Sequence, residues 1–271
     1  MYHDFYGLRE NPFNITPDPS FFYSSRRHQE ALSSLIYGIK ARKGFIEITG
    51  EVGAGKTTLC RCLLGLLDST YKTALILNPN LSDLQMMRTI VQDFGISTKG
   101  KTKKELFDQL NLFLLDELKA GNNVVLIIDE AQNLKPALLE QIRMLSNLET
   151  DKEKLLQIVL MGQPELRELL SREDLRQLRQ RISVRYHLTP LTPEETQEYI
   201  HHRLRIAGAK ESLYFNVHAL EAIQQYSKGI PRVINVVCDK ALLAGFVAQS
   251  FEIGPWLIQQ AIDEIEGVVA V

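Results

Sequence analysis

Eight consecutive residues constrain this chain more than any others: Gly50-Glu-Val-Gly-Ala-Gly-Lys-Thr57, a match to G-x-x-x-x-G-K-[ST]. Residues 44–50 read as a short strand running into the motif, and residues 57–67 read as a helix leaving it. Strand, glycine turn and helix in that order is the context that gives the pattern its meaning. The glycines let the backbone curl until several N–H groups face one centre, where phosphate oxygens can sit. The following helix turns its positive end toward the same anion. Gly50, Gly53, Ala54, Gly55, Lys56, Thr57 and Thr58 are therefore the candidate phosphate cradle. Lys56 is placed to reach the β- and γ-phosphates, and Thr57 to put its hydroxyl on Mg²⁺.

A second feature completes the first. Residues 123–128 (Asn-Val-Val-Leu-Ile-Ile) are almost continuously apolar rather than alternating, as expected of a parallel strand covered on both faces. Asp129 and Glu130 follow at once. An acidic pair ending a buried strand is costly unless a cation answers it. Mg²⁺ held by Asp129, directly or through water, is that answer, and Glu130 is placed to polarise an attacking water. Two carboxylates at a solvated strand end are the plainer reading. A glutamate beside the aspartate favours a hydrolase over a kinase, which has no water to activate.

Around these motifs the pattern alternates. Helices are expected near 27–41, 57–67, 81–94, 103–119, 136–148, 165–170 and 175–180, with strands near 44–50, 73–77, 123–129, 155–161 and 183–188. Beyond Pro190 the segments near 193–207, 216–227, 231–248 and 255–266 all read as helices; Thr192-Pro193-Glu194-Glu195 supplies an N-cap, a proline at the first helical position and acidic first-turn residues. The first 23 residues are rich in aromatics and prolines, which predicts an extended lead-in packed on the main domain. The expected fold is α/β, a three-layer αβα domain with a parallel sheet, followed by a small all-helical lid. The boundaries are 1–190, with the lead-in at 1–25, and 191–267.

Composition removes other classes. The chain of 271 residues carries 31 Lys+Arg against 33 Asp+Glu, a net charge of −2, so neither a strongly basic nucleic-acid binder nor an acidic disordered chain fits. No apolar run approaches the roughly 20 residues of a membrane helix. The first residues show no signal peptide, and Cys60, Cys62 and Cys238 read as free thiols of a reducing cytosol. His3, His28, His187, His201, His202 and His218 form no metal motif. The lysines at 99, 101, 103 and 104 read as a solvated surface turn.

The phosphate loop, the apolar strand ending in Asp-Glu and the helical C-terminal part together resemble the AAA+ ATPases. More narrowly, the sequence resembles the general secretion pathway protein A family. The residues carrying the likeness are Phe5–Leu8, Asn11-Pro-Phe13, Thr16–Pro19, Gly50–Thr58, Ile127–Gln132, Gly162–Leu166 and Gly229-Ile-Pro-Arg232, spread over nearly the whole chain. The resemblance implies ATP and Mg²⁺ as ligands, with Glu130 and Lys56 catalytic and Thr57 and Asp129 on the metal. It places Gln163 at the sensor-1 position, where asparagine or threonine is more usual; a turn residue before Pro164 is the other reading. It gives Arg181 the role of a finger reaching a neighbouring subunit, with Arg176 and Arg179 competing and a solvated basic helix face as the alternative. Arg232 matches sensor 2, or else pairs with an acidic neighbour at the start of a helix. Adenine is expected between lead-in and lid, making Asn11, Phe13, His28 and Gln29 candidates, although these aromatics also read as core.

The partners implied are ATP, further copies of the chain in a ring (a hexamer is one candidate size) and an envelope-assembly protein. The role implied is ATP-driven assembly or remodelling of a secretion, pilus or exopolysaccharide apparatus, from the cytoplasm or peripheral to the inner membrane through a partner. Two alternatives stand beside it: a DNA-associated ATPase of the transposition-regulator kind, with basic residues at 99–104 and 176–185 on phosphates, and a nucleotide-gated scaffold with little turnover. Long members of the family continue into a membrane segment and a peptidoglycan-binding module, whereas this sequence stops in the apolar stretch Val268–Val271.

Overall fold

The computed structural model describes residues 2–99, 102–150 and 153–267. Lys101 of the lysine-rich turn and the Val268–Val271 stretch lie outside the described residues. In chain order the elements are α1 (Tyr2–Tyr6), α2 (Arg26–Lys40), β1 (Phe45–Gly50), α3 (Lys56–Leu66), β2 (Tyr71–Ile76), α4 (Asp83–Asp93), α5 (Lys103–Lys119), β3 (Asn123–Ile128), α6 (Pro136–Leu145), β4 (Leu156–Gly162), α7 (Glu165–Ser171), α8 (Arg176–Arg181) and β5 (Ile182–Leu188). The remainder is α9 (Pro193–Ile206), β6 (Tyr214–Phe215), α10 (Val217–Ser227), α11 (Pro231–Val247), β7 (Glu252–Ile253) and α12 (Pro255–Glu266).

Two compact units result. One gathers Arg27–Gly50 with Leu59–Leu188; the other gathers the lead-in through Arg26, the loop Glu51–Thr58 and the chain from Thr189 onward. In the first unit the strands form one parallel sheet in the order β2-β3-β4-β1-β5. β1, β3 and β4 are buried at every residue, which is why β3 and most of β4 read as apolar runs, while β1 buries the polar Glu47 and Thr49 beside its isoleucines. Edge strand β5 buries only its two end residues fully. α4 and α5 open with capping boxes, Ser82 with Gln85 and Thr102 with Glu105, so their start points are written locally. The registers Thr49↔Gly162 and Ile128↔Leu160 bring the C-terminal ends of β1, β3 and β4 to one edge of the sheet. In parallel α/β sheets that edge is where ligands bind.

The second unit departs from expectation in three ways. Residues 2–6 form a turn of helix rather than extended chain, because the first proline is Pro12 and nothing before it forbids a turn. Gly7, at φ +68°, ends that turn. The lead-in also packs with the helical C-terminal part: Tyr6, Phe13 and Phe21 share a buried cluster with Ile200, Val237 and Leu257. Phe5 stacks on Phe251 at 4.7 Å and meets Phe246 edge-on at 5.4 Å, so the aromatic surface these residues need lies beyond residue 190. Finally, the C-terminal part is not wholly helical. β6 and β7 pair in parallel over two residues each, too short for any periodicity to reveal.

Candidate functional site

The phosphate loop is shaped by its glycines. Gly53 lies at φ +80° and Gly55 at φ +98°, where an L side chain is strained. Gly53 has a second reason to lack a side chain: a Cβ there would come within 2.5 Å of the Arg232 Cβ. The backbone N–H of Arg232, in the first turn of α11, donates to the Gly53 carbonyl at 3.2 Å. Thus the sensor-2 candidate meets the loop through its backbone as well as carrying a side chain beside it. Lys56 is 6% exposed, and its ammonium donates to the Glu51 carbonyl at 2.9 Å, which holds the cation over the loop. Ala54 N–H donates to the same carbonyl at 3.1 Å.

In the sheet unit, Asp129 is 2% exposed and its Oδ1 accepts from the Glu130 N–H at 2.9 Å. Cys60, on α3, has its thiol pKa pushed up to about 12 by burial first and by the Asp129 charge second. Glu130 sits in the left-handed region at φ +52°, a costly setting for a side chain that bears a Cβ. Its Oε2 accepts from two amides, Gln132 Nε2 at 2.6 Å and Gln163 Nε2 at 3.1 Å. Gln132 Oε1 in turn accepts from the Gln163 N–H at 3.0 Å. Room for this seat depends on Gly162, where a Cβ would stand 2.8 Å from Gln132 Oε1. The structure therefore brings Glu130 and Gln163 together and adds Gln132. Sequence reasoning quoted Gln132 in the string Ile127–Gln132 but gave it no role; its position two residues after the glutamate was the available signal.

The remaining candidates fall elsewhere. Phe13 is 1% exposed and meets Phe215 edge-on at 6.2 Å, so its ring serves the core of the C-terminal unit. That corrects its candidacy for the base: a ring buried on both faces has none to stack. Asn11 uses its amide on Asp239, at 3.1 Å, and on the Phe13 N–H, at 2.8 Å, which pins the lead-in. Arg203, also unnoticed in the sequence, is 7% exposed and fastens the same stretch, donating to the Pro12 carbonyl, to the Asn14 carbonyl at 3.1 Å and to the Tyr199 hydroxyl at 2.9 Å. His28 is buried and Gln29 exposed, both on α2 in the sheet unit. Arg181 donates to the Arg143 carbonyl at 3.3 Å, to Ser146 Oγ at 2.8 Å and to Asn147 Oδ1. Arg176 lies 3.5 Å from Glu173, and Arg179 donates to the Ser171 carbonyl at 2.9 Å. Gly50, Thr57 and Thr58 stand at the two ends of the loop, at the close of β1 and in the first turn of α3.

A parallel sheet with a glycine loop after β1 and an Asp-Glu pair after β3 defines a P-loop protein of the AAA class. Comparison with known proteins agrees: the profile of a family described as an AAA domain matches residues 39–170. General secretion pathway protein A of Aeromonas hydrophila is 46% identical over 269 residues, covering 99% of this chain and 49% of that protein. Residues 39–170 thus match an AAA domain, and the chain is similar to general secretion pathway protein A, spanning about half the length of that curated relative. Among solved structures, the Aeropyrum pernix ORC2 protein in ADPNP–ADP complexes superposes with a TM-score of 0.71 at 20% identity, covering 94% of this chain and 71% of that one. The Thermotoga maritima RuvB Holliday junction branch migration motor gives 0.60 at 19% identity, covering 93% and 73%. At these identities the likeness is one of fold. Among the described residues no helix is long and apolar enough to cross a membrane.

Proposed function

We propose that the chain binds ATP with Mg²⁺, hydrolyses it, and uses the cycle to drive or switch assembly of a cell-envelope secretion apparatus. The observation that carries the reading is the Glu130 carboxylate held by two amides at the same sheet edge from which the phosphate loop departs. The donors fit the ligands. Gly53 and Gly55 hold positive φ values that curl the loop backbone as a phosphate cradle needs, and the Thr57 hydroxyl and Asp129 carboxylate are hard oxygens, the class Mg²⁺ prefers. Mg²⁺ when bound would neutralise charge on the phosphates.

The chain's own groups supply the rest. The loop N–H groups and Lys56 bind and orient the triphosphate; Lys56 exchanges the Glu51 carbonyl for phosphate oxygens. Glu130 accepts a proton from the attacking water, whose oxygen bonds to the γ-phosphorus as the bond to the β,γ-bridging oxygen breaks and ADP leaves. Neither amide bond uses Oε1, so that oxygen is the one offered to water. Gln163 and Gln132 hold the carboxylate in place. In an assembly of copies Arg181 is the finger candidate, and it must leave Asn147 and Ser146 to reach a neighbour.

The secretion role rests on the relative. DNA association draws less support, because within 176–185 Arg176 lies against Glu173 at 3.5 Å and Arg185 against Glu47 at 3.1 Å, which offsets part of that positive charge. Exchange of Glu130→Gln is the test. Turnover should fall at least about a hundredfold while ATP affinity stays within about twofold; unchanged turnover would leave a nucleotide-gated scaffold as the better description.

A further inference from the structure

A cavity of about 410 Å³ opens between α4, α5 and α6, within the sheet unit and built from none of the residues assigned to nucleotide. Its wall is apolar and soft: Met87 is buried, Phe107 half-buried and Met144 53% exposed. Methionine surfaces of this kind adapt to varied shapes. Lys103 and Lys104 also line it, both exposed at the start of α5. Gln141, on α6, is the unusual member. Both polar atoms of its side chain, Oε1 and Nε2, are buried, and neither has a hydrogen-bond partner. Leaving a buried donor or acceptor unmade costs about 1–3 kcal/mol each, and among the described residues Gln141 is the one side chain with two such atoms; Asn123 and His202 have one each.

The unmade pair says what fits. A carboxylate or phosphate can only accept, and would leave Oε1 unpaired. A peptide unit offers one N–H and one C=O, which answers both atoms of a primary amide once the Gln141 side chain turns them from their buried seat toward the cavity. The cavity, of a size ordinary for ligand pockets, has room for an apolar side chain beside that unit. The lysines set the charge of the flanks; Lys103 gives up little to engage them, since its partner Asp83 is 3.5 Å away and both side chains are half exposed.

We propose that this cavity docks an acidic peptide segment of a partner protein. One aliphatic or aromatic side chain enters between Met87, Phe107 and Met144, its backbone amide pairs with Gln141, and neighbouring carboxylates face Lys103 and Lys104. The proposal is independent of ATP hydrolysis.

A random dodecapeptide library displayed on phage and selected against the whole chain tests it. Selected peptides should carry net negative charge around a bulky apolar residue. By fluorescence anisotropy a synthetic copy should bind the double variant Lys103→Glu/Lys104→Glu about tenfold more weakly. It should bind Gln141→Leu about tenfold more weakly as well, since the peptide's amide is then left unpaired. Glutamate suits the first turn of a helix, so the charge reversal spares α5; melting temperature and binding of a fluorescent ATP analogue confirm intact folding, and Lys103→Ala/Lys104→Ala substitutes if it fails. Neutral or basic selected peptides, equal affinity for these variants, or no enrichment would overturn the proposal. So would binding only to a chain ending at Gly267, which would assign the cavity to the chain's own last residues.

Discussion

Replacing Gln132 by leucine tests whether the glutamate seat is part of the catalytic apparatus. The side chain makes two bonds that leucine cannot: Nε2 to Glu130 Oε2 at 2.6 Å and Oε1 from the Gln163 N–H at 3.0 Å. The first is charge-assisted and contributes about 1.5–3 kcal/mol; the second, between neutral groups, contributes about 0.5–1.5 kcal/mol. Leucine has similar bulk, so the lost bonds rather than a cavity should dominate. If the carboxylate must be held still to receive the water's proton, about 1.4–2.8 kcal/mol of that orientation is lost at the transition state. The corresponding fall in kcat is about ten- to a hundredfold.

A coupled assay of ADP release at saturating ATP reads this directly, and titration with a fluorescent ATP analogue reads affinity, which should stay within about twofold. Gln163→Leu removes only the 3.1 Å bond and should cost about tenfold. The double variant should lose less than the product of the two, because both amides serve one carboxylate. A kcat for Gln132→Leu within twofold of the parent, or above it, would refute the positioning role. A rise in particular would mean that the amides restrain Glu130 in a resting arrangement.

Three further outcomes follow from the geometry. Gly53→Ala meets both a φ of +80° and a 2.5 Å approach to Arg232; denaturant unfolding should show a loss of about 2–4 kcal/mol, and ATP affinity should fall at least tenfold. Arg203→Met leaves the Pro12 and Asn14 carbonyls without their guanidinium donor; it should destabilise by about 3 kcal/mol, and limited proteolysis should cut the lead-in first. His202 has its imidazole pKa lowered by burial, then by Arg205 and Arg203. Its contribution to stability is therefore present above the unfolded value of about 6.5 and is lost as pH falls through the lower folded value. Unfolding curves of His202→Gln should be flatter across that window than those of the parent.

The sheet and its loop were legible because each is specified locally. A continuous apolar run announces β3, glycines at fixed spacing announce the loop, and Thr192 announces the start of α9; Ser82 and Thr102 start α4 and α5 by the same local device, which the expected helix bounds do not use. What escaped depends on distant partners. Arg203 reads as one more charge on a polar helix face until Pro12 and Asn14 arrive some 190 residues away in sequence. Gln132 has no visible task until Gln163 comes beside it on the neighbouring strand's end. Phe13 could not be divided between core and ligand by composition; the presence of Phe215 decides it. The turn of helix at residues 2–6 was hidden by averaging the prolines that follow it into one segment.

The lead-in, the loop and the helical part share one unit, and this bears on how nucleotide would be sensed. Covalently, the loop follows β1 of the sheet unit and runs into α3, which enters that unit from Leu59 onward. Through space, the Gly53 carbonyl takes its hydrogen bond from Arg232 at the head of α11, and the same helix carries Asp239, which holds Asn11 of the lead-in. One helix thus holds both the glycine loop and the lead-in. A change in loop conformation need not travel through the core of the sheet to reach the C-terminal helices; it acts on α11 through one backbone bond and one close glycine contact. That shortness explains why a side chain at Gly53 is expected to harm stability and ATP affinity together, where a loop substitution that does not approach Arg232 would affect affinity alone.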